Sequence, residues 1–428
     1  MLTPELYSLY IDHPSVQTDT RKLAKGDIFF ALKGDNFNGN KFAEQAIESG
    51  AAYAVIDDDT FSIPGKTILV PDVLTALQQL AKHHREQFTI PFLAITGSNG
   101  KTTTKELIHA VLSTKFKTYT TEGNLNNHIG IPLTILKIRK DAEMAVIEMG
   151  ANHIGEIASY CEYTQPTHGL ITNVGKAHLE GFGSIEGVKK GKGELFDYLR
   201  SKTDSYAFVM WDYDYLQEIS KGVSGIIKYG SAGDAHVSGK IISHSPFLNV
   251  EITQGLAPVV IQSQLVGDYN LPNILASVTI GKFFEVNETK IKTSIENYAP
   301  SNSRSQLITK GSNKIIVDAY NANPASMRAA IENFGKLKEN NKVIILGAMA
   351  ELGTESINEH IAIVELLQKY QWDSVVLVGG DFLKCEHDYN SLASADAAKA
   401  WFKENKIENS YVLIKGSRSM KMEKVIPE

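Results

Sequence analysis

The stretch "ITGSNGKTTTKE", residues 95–106, sets a glycine-flanked turn ahead of a lysine and a row of threonines. Those residue types at that spacing can bind phosphate. The N–H groups of a turn that opens a helix carry positive partial charge, so Gly97, Ser98, Asn99, Gly100, Lys101, Thr102 and Thr103 can cradle an anion. Lys101 can neutralise the β- and γ-phosphates of ATP, and the Thr102 hydroxyl can ligate magnesium. The common phosphate-loop spacing calls for a further glycine at 95, where the chain has Ile95. The plain alternative is a glycine turn before a helix that happens to begin with lysine. The apolar run "PFLAITG" before the turn and the helical pattern "KTTTKELIHAVLS" after it favour the cradle.

Further candidates stand at the ends of apolar runs, where a parallel sheet presents its ligand-binding edge. Glu148 closes "AEMAVIE", Asp318 closes "KIIVD", and Lys415 and Arg418 follow "YVLI". An acid at a strand end can hydrogen-bond a ribose hydroxyl, yet a lone strand-end glutamate is more often simply solvated. Asn270 and Asn273 would start a helix, where asparagine serves as a cap. Asn124, Asn126 and Asn127 read first as polar turn residues. Lys192, beside Lys189 and Lys190, reads on its own as part of an exposed basic run.

The elements that must position these residues fall into three α/β segments, expected at 1–88, 89–300 and 301–428. The first mixes short strands ("GDIFFALKG", "YAVID", "KTILV") with helices ("FAEQAIESGA", "VLTALQQLAKHHREQF"). In the second, "PFLAITG", "AEMAVIEMG", "THGLITNVG" and "YAFVMW" alternate with helical patterns, which predicts a parallel sheet covered on both faces. It ends near "ENYAPSNSRS", a proline- and serine-containing linker. The third restarts the alternation with the rhythm of a small Rossmann-like unit.

Composition bounds the function classes. The chain has 428 residues, 43% apolar and 21% charged, as expected of a multidomain globular protein. A formal charge of -6 argues against a dedicated nucleic-acid binder. Two cysteines, Cys161 and Cys385, give neither a disulfide framework nor metal-ligand spacing and suit a reducing cytoplasm. The opening residues have no basic run followed by an apolar core, so no secretory leader is expected, and no apolar stretch is long enough to span a bilayer. A cytoplasmic monomer without membrane insertion is the expectation.

The loop "TGSNGKTTT" resembles the TGxxGKT loop of the Mur ligase family, whose pattern does not require glycine at 95. Eight further blocks stand in the family's order: "EGNLNNHIGIPLT", "IEMGANHIGEI", "NVGKAHLEGFGS", "KGKGELF", "GDYNLPNILA", "DAYNANPASM", "GAMAELG" and "KGSRSMKME". The resemblance runs from about residue 18 to 423 and is strongest to the family's dipeptide-adding branch. It implies three domains: a small N-terminal uridine-nucleotide domain, a central ATPase domain with a mainly parallel sheet, and a C-terminal Rossmann-like domain. It also implies ATP and Mg2+ as cofactors, with UDP-N-acetylmuramoyl-tripeptide and D-alanyl-D-alanine as the partners joined. In that family the carboxylate takes the γ-phosphoryl of ATP and the amine then displaces phosphate.

The resemblance further implies roles for particular residues. Thr102, Glu148, His178 and Lys192 become magnesium contacts, Lys192 as a carbamate, although imidazole is an uncommon magnesium ligand. Lys101, Lys192, His178 and Arg304 become catalytic, and Asn273 and Asp318 lie at the nucleotide. Arg304 follows Asn302 and Ser303 where most relatives carry proline and glycine. Thr20, Arg21 and the 36–39 turn fall at the uridine-nucleotide end, with Asn124, Asn126 and Asn127 along the peptide channel. Asn321, Glu351, Lys415 and Arg418 are expected at substrate. Rival readings are another Mur-type ligase, a folylpolyglutamate synthetase, or a nucleotide switch that turns over ATP without a carboxylate or amine acceptor.

Overall fold

The computed structural model describes residues 3–426 apart from 232, 244, 245 and 302; Asn302 of the linker therefore lies outside the described residues. Three α/β sheets follow one another along the chain, and a small antiparallel pair, Lys33–Gly34 with Phe37–Asn38, stands beside the first. The first has four parallel strands in the order Val16–Gln17, Ile28–Phe30, Tyr53–Ile56 and Thr67–Leu69. The helix Val73–Arg85 leads out of it, opened by Asp72, whose side chain accepts from the Thr75 N–H.

The second sheet has nine strands and holds the phosphate-loop candidate. Five of its strands, Tyr206–Met210, His168–Ile171, Phe92–Thr96, Met144–Glu148 and the edge strand Thr118–Thr120, are neighbours in that order and all parallel. Phe92–Thr96 and Met144–Glu148 are buried at every residue, as continuous apolar runs in a doubly covered sheet must be. The sheet is mainly parallel, as expected, and its antiparallel part lies at one edge. Gly225–Gly230 and Val237–Ser243 continue it in parallel, but Asn249–Gln254 and Val259–Gln262 run antiparallel. In Asn249–Gln254 the buried residues Val250 and Ile252 alternate with half-buried ones, as in a strand with only one face covered.

The third sheet has the order Gln306–Lys310, Asn313–Asp318, Tyr411–Lys415, Lys342–Gly347, Ser374–Val378 and Asn390–Leu392. Only its first pair is antiparallel, a hairpin that carries the chain in from the linker. The helix Pro324–Lys336 leaves the Asn313–Asp318 strand through a capping box. Asn323 accepts from the Ser326 N–H, and the Ser326 hydroxyl accepts from the Asn323 N–H. One contiguous apolar core runs from Leu6 through the central sheet to Leu413 and ties the three units together. No helix among the described residues is long and apolar enough to cross a membrane.

Candidate active site

The chain turns at Gly97 and Gly100 because only glycine fits. Gly97 has φ +138, and a Cβ there would lie 2.0 Å from the Thr172 hydroxyl oxygen. Gly100, at φ +79, caps the helix Lys101–Leu112, and its Cβ would come 2.8 Å from Asn273 Oδ1. The segment after the His168–Ile171 strand clamps the loop. Ser98 N–H donates to the Asn173 carbonyl (2.9 Å), Asn99 N–H to Asn173 Oδ1 (3.0 Å), and the Thr172 hydroxyl to the Asn99 carbonyl (2.6 Å). Gly175 N–H donates to Ser98 Oγ at 2.9 Å. Lys101 folds back, its amine donating to the Gly97 carbonyl at 2.6 Å, and burial lowers its pKa. In that pose the amine already lies among the loop carbonyls.

A cavity of about 760 Å³ opens over this loop. It gathers Ser98 to Thr103, Asn124, Asn126, Asn127, Glu148, His178, Asn273, Arg304, Asp318, Asn321 and Lys415 from the central and C-terminal units. Most residues singled out in the sequence thus share one space. Thr20, Arg21, Gly97, Lys192, Glu351 and Arg418 do not line it. Gly97 shapes the loop from behind, while Lys192 and Glu351 touch residues of the wall.

Glu148 ends its strand with its side chain buried, the residue only 1% exposed. One carboxylate oxygen accepts from Asn126 Nδ2 at 2.7 Å, and the other has no partner. A buried carboxylate oxygen without a donor is costly unless a cation meets it. The glycine- and asparagine-rich loop is therefore wall as well as turn. Asn126 takes the Gly150 N–H on its carbonyl at 2.7 Å, and Asn127 Oδ1 accepts from the Gly130 N–H at 2.8 Å.

Lys192 corrects the reading of an exposed basic run. Its neighbour Lys189 pairs with Glu218 outside the core, but Lys192 is 1% exposed in the helix Ile185–Arg200. Its amine donates to the Ala151 carbonyl at 2.9 Å and lies 5.0 Å from the centre of the Phe182 ring. Burial, and then the charge of Lys101, push its pKa well below the ordinary lysine range. Burial thus works against the charged amine and toward the neutral, nucleophilic one.

His178 (φ 53) and Glu351 (φ 60) both stand in the left-handed region and face each other, Nδ1 to Oε2 at 2.5 Å. The imidazole holds the Glu351 carboxyl below its usual range. On the C-terminal side Lys415 is buried and meets Asp318 at 2.5 Å, while the Ser305 N–H donates to the other Asp318 oxygen at 3.1 Å. Arg304 lies over Tyr320, its guanidinium carbon 3.5 Å from the ring centroid, and Arg418 approaches the same ring at 5.0 Å. Asn273 lines the cavity, but its amide is engaged: it accepts from the Thr104 hydroxyl (3.0 Å) and donates to Asn270 (2.8 Å). Arg21, with an 86% exposed side chain, pairs with Asp19 on the first unit.

Several cavity residues were not singled out in the sequence, although Asn173 and Asn323 stand inside two of the family's blocks. The role of Asn173 shows in its bonds to the loop. Tyr213 and Tyr215 stack at 5.5 Å, and the Tyr215 hydroxyl accepts from the Val174 N–H at 3.2 Å. Asn323 Nδ2 reaches Asn99 Oδ1 at 2.8 Å, a direct bond between the C-terminal unit and the phosphate loop.

A strand–loop–helix anion cradle, an orphaned carboxylate oxygen at the neighbouring strand end and a second Rossmann-like sheet across the cavity define a multidomain phosphate-loop enzyme. Residues 14–85 match the Mur ligase family catalytic domain, 95–281 the Mur ligase middle domain and 303–418 the Mur ligase glutamate ligase domain. The chain belongs to the Mur ligase family. It is 35% identical to the UDP-N-acetylmuramoyl-tripeptide–D-alanyl-D-alanine ligase of Bacillus subtilis (strain 168), over 96% of this chain and 92% of that protein. Among solved structures it is similar to MurF from Acinetobacter baumannii, with a TM-score of 0.87 and 31% identity over 96% of this chain and 92% of that one. It is also similar to the MurF ligase from Thermotoga maritima in complex with ADP, with a TM-score of 0.85 and 26% identity over 96% of both chains.

Proposed function

We propose that the chain is the ATP-dependent ligase that joins D-alanyl-D-alanine to UDP-N-acetylmuramoyl-tripeptide during peptidoglycan precursor synthesis. The observation that carries the reading is the cavity itself. One space unites a phosphate cradle, an unpartnered carboxylate oxygen and a cationic C-terminal wall, in a chain alike along nearly its whole length to ligases of that name. The family divisions are taken at 1–88, 89–300 and 301–428, with the uridine nucleotide on the first around Thr20, Arg21 and the 36–39 turn. The protein works as a monomer in the cytoplasm.

The reaction needs a carboxylate brought to a triphosphate against charge repulsion. The N–H groups of the 97–102 loop and the Lys101 amine bind the phosphates, and Arg304 and Lys415 add positive charge from the opposite wall. The substrate carboxylate takes the γ-phosphoryl group, ADP leaves, and the dipeptide amine displaces phosphate from the acyl phosphate. Asn124, Asn126 and Asn127 line the way for the peptide. Glu351 is the candidate for dipeptide contacts, Lys415 and Arg418 for phosphate or a substrate carboxylate, Asn321 for substrate, and Asp318 and Asn273 for the nucleotide.

Magnesium fits the residues present. The Glu148 oxygen without a partner and the Thr102 hydroxyl are hard oxygen donors, with His178 at the rim. Among the described residues no three His, Cys, Asp or Glu side chains gather into a metal site. A further oxygen donor is therefore wanted, and Lys192, in its neutral form, could supply it by forming an N–C bond to carbon dioxide and releasing a proton, which leaves an anionic carbamate. Bound there, the ion would neutralise phosphate oxygens.

The test is phosphate release from ATP and Mg2+ by the purified protein, given the UDP-muramoyl tripeptide with and without D-alanyl-D-alanine. Release that requires both substrates is expected. Release that ignores the dipeptide would overturn the assignment and point to another amine acceptor or to a nucleotide switch.

A further inference from the structure

The segment 176–180 leaves the nine-stranded sheet and meets the C-terminal unit at three points. Lys176 Nζ lies 2.5 Å from Glu359 Oε1. The Glu180 N–H donates to the Glu351 carbonyl at 3.3 Å, and His178 faces the Glu351 carboxylate. Gly353 closes the contact, since a Cβ on it would lie 3.6 Å from Glu180 Cα. Both His178 and Glu351 hold left-handed backbone that non-glycine residues seldom adopt. Such strain persists where surrounding contacts over-determine it. Glu359 is 8% exposed in the helix Ser356–Leu367, whereas the Lys176 side chain is 55% exposed. Neither Lys176 nor Glu359 lines the cavity.

We propose that Lys176 and Glu359 are positioning residues: their ion pair clasps the C-terminal unit onto the phosphate-loop unit and so sets the gap in which the acyl group meets its amine. Separating the units leaves the Glu359 carboxylate, set in a largely buried position, without its cation, which penalises opening. The kinetic meaning of the clasp rests on the ligase reading above, but its geometry does not. If only the closed arrangement holds the dipeptide well, the apparent affinity falls with the closed fraction while turnover from the closed complex does not.

The experiment compares wild type, K176E, K176Q, E359K and the double charge swap K176E/E359K. Solution scattering of the ligand-free proteins at low and high salt gives compactness, and steady-state kinetics give KM and kcat. K176E should raise the radius of gyration and raise KM for the dipeptide about five- to tenfold, with kcat changed less than about twofold. K176Q should show a smaller version of both effects, and the charge swap should restore both. High salt should expand the wild type toward K176E. Unchanged scattering and KM in K176E would overturn the clasp, as would a double variant no better than the sum of its parts. Lys176 is largely in solvent, so K176E and K176Q carry the test even where E359K folds poorly. Expansion reversed by the swap in a protein without ligase activity would sink the functional reading alone. Intact ligase activity with indifferent scattering would sink the clasp alone.

Discussion

Glu148→Gln separates a functional role for this carboxylate from a structural one. The wild-type side chain is sealed from solvent, with one oxygen bonded to Asn126 and the other to nothing. An unmade buried polar bond costs about 1–3 kcal/mol, more when the group is charged. Glutamine keeps the shape and the bond from Asn126 and removes the buried charge. Lys101 loses the attraction of that carboxylate, which offsets part of the gain. The ligand-free variant should therefore be as stable as wild type or more stable by about 1 kcal/mol. Turnover should nevertheless fall by about 10²–10³, the usual effect of losing one preorganised charge-stabilising group. Chemical unfolding with and without Mg2+ and ADP reads both sides. A ligand at a hundred times its Kd stabilises wild type by about 2.7 kcal/mol, and the variant should lose most of that increment. A ligand-free variant destabilised by more than about 2 kcal/mol, or one turning over within tenfold of wild type, would refute the reasoning.

Other outcomes follow from the same contacts. Gly97→Ala forces a side chain into the Thr172 hydroxyl at a backbone angle alanine avoids, so nucleotide binding followed by calorimetry should be lost while unfolding remains cooperative. Lys192→Met keeps a buried apolar stem and should fold normally but release less than about a hundredth of the wild-type phosphate; wild-type activity should fall on removal of carbon dioxide and return with bicarbonate. Arg304→Ala, which takes the guanidinium off Tyr320, should lower kcat with a smaller change in the KM of the dipeptide. His168 is buried against Tyr206 and Phe208, and burial pushes its pKa down to about 4. The unfolded chain takes up that proton near pH 6.5, so stability present above about 6.5 is lost as pH falls to about 4, on the order of 3 kcal/mol in all. His168→Phe should flatten that acid slope in denaturant titrations.

Much of the fold was legible because buried parallel strands announce themselves as short apolar runs, and Phe92–Thr96 and Met144–Glu148 are such runs. The antiparallel extension through Val259–Gln262 was not, since its half-covered strands mix polar and apolar residues without a helix between them. At the site, the glycine loop could be read directly because its chemistry depends on neighbours in sequence, whereas Glu148 on its own read as a solvated strand end and only the resemblance made it a metal contact. Lys192 could not be read directly either, for its burial is decided by the Ala151 carbonyl and the Phe182 ring, neither of which its own run of lysines reveals. Asn173 and Asn323 were missed for the same reason: each acts on the phosphate loop from a distant stretch of chain. Lys415 was expected at substrate, and its pairing with the Asp318 carboxylate on the adjoining strand could not be read from its own stretch of chain.

The most direct test of the account is to follow oxygen. Tripeptide substrate labelled with oxygen-18 in the reacting carboxylate would be turned over with ATP, Mg2+ and D-alanyl-D-alanine, and the released phosphate weighed by mass spectrometry. An acyl phosphate formed in this cavity transfers one labelled oxygen to each phosphate. Phosphate without the label, released while amide product accumulates, would contradict it.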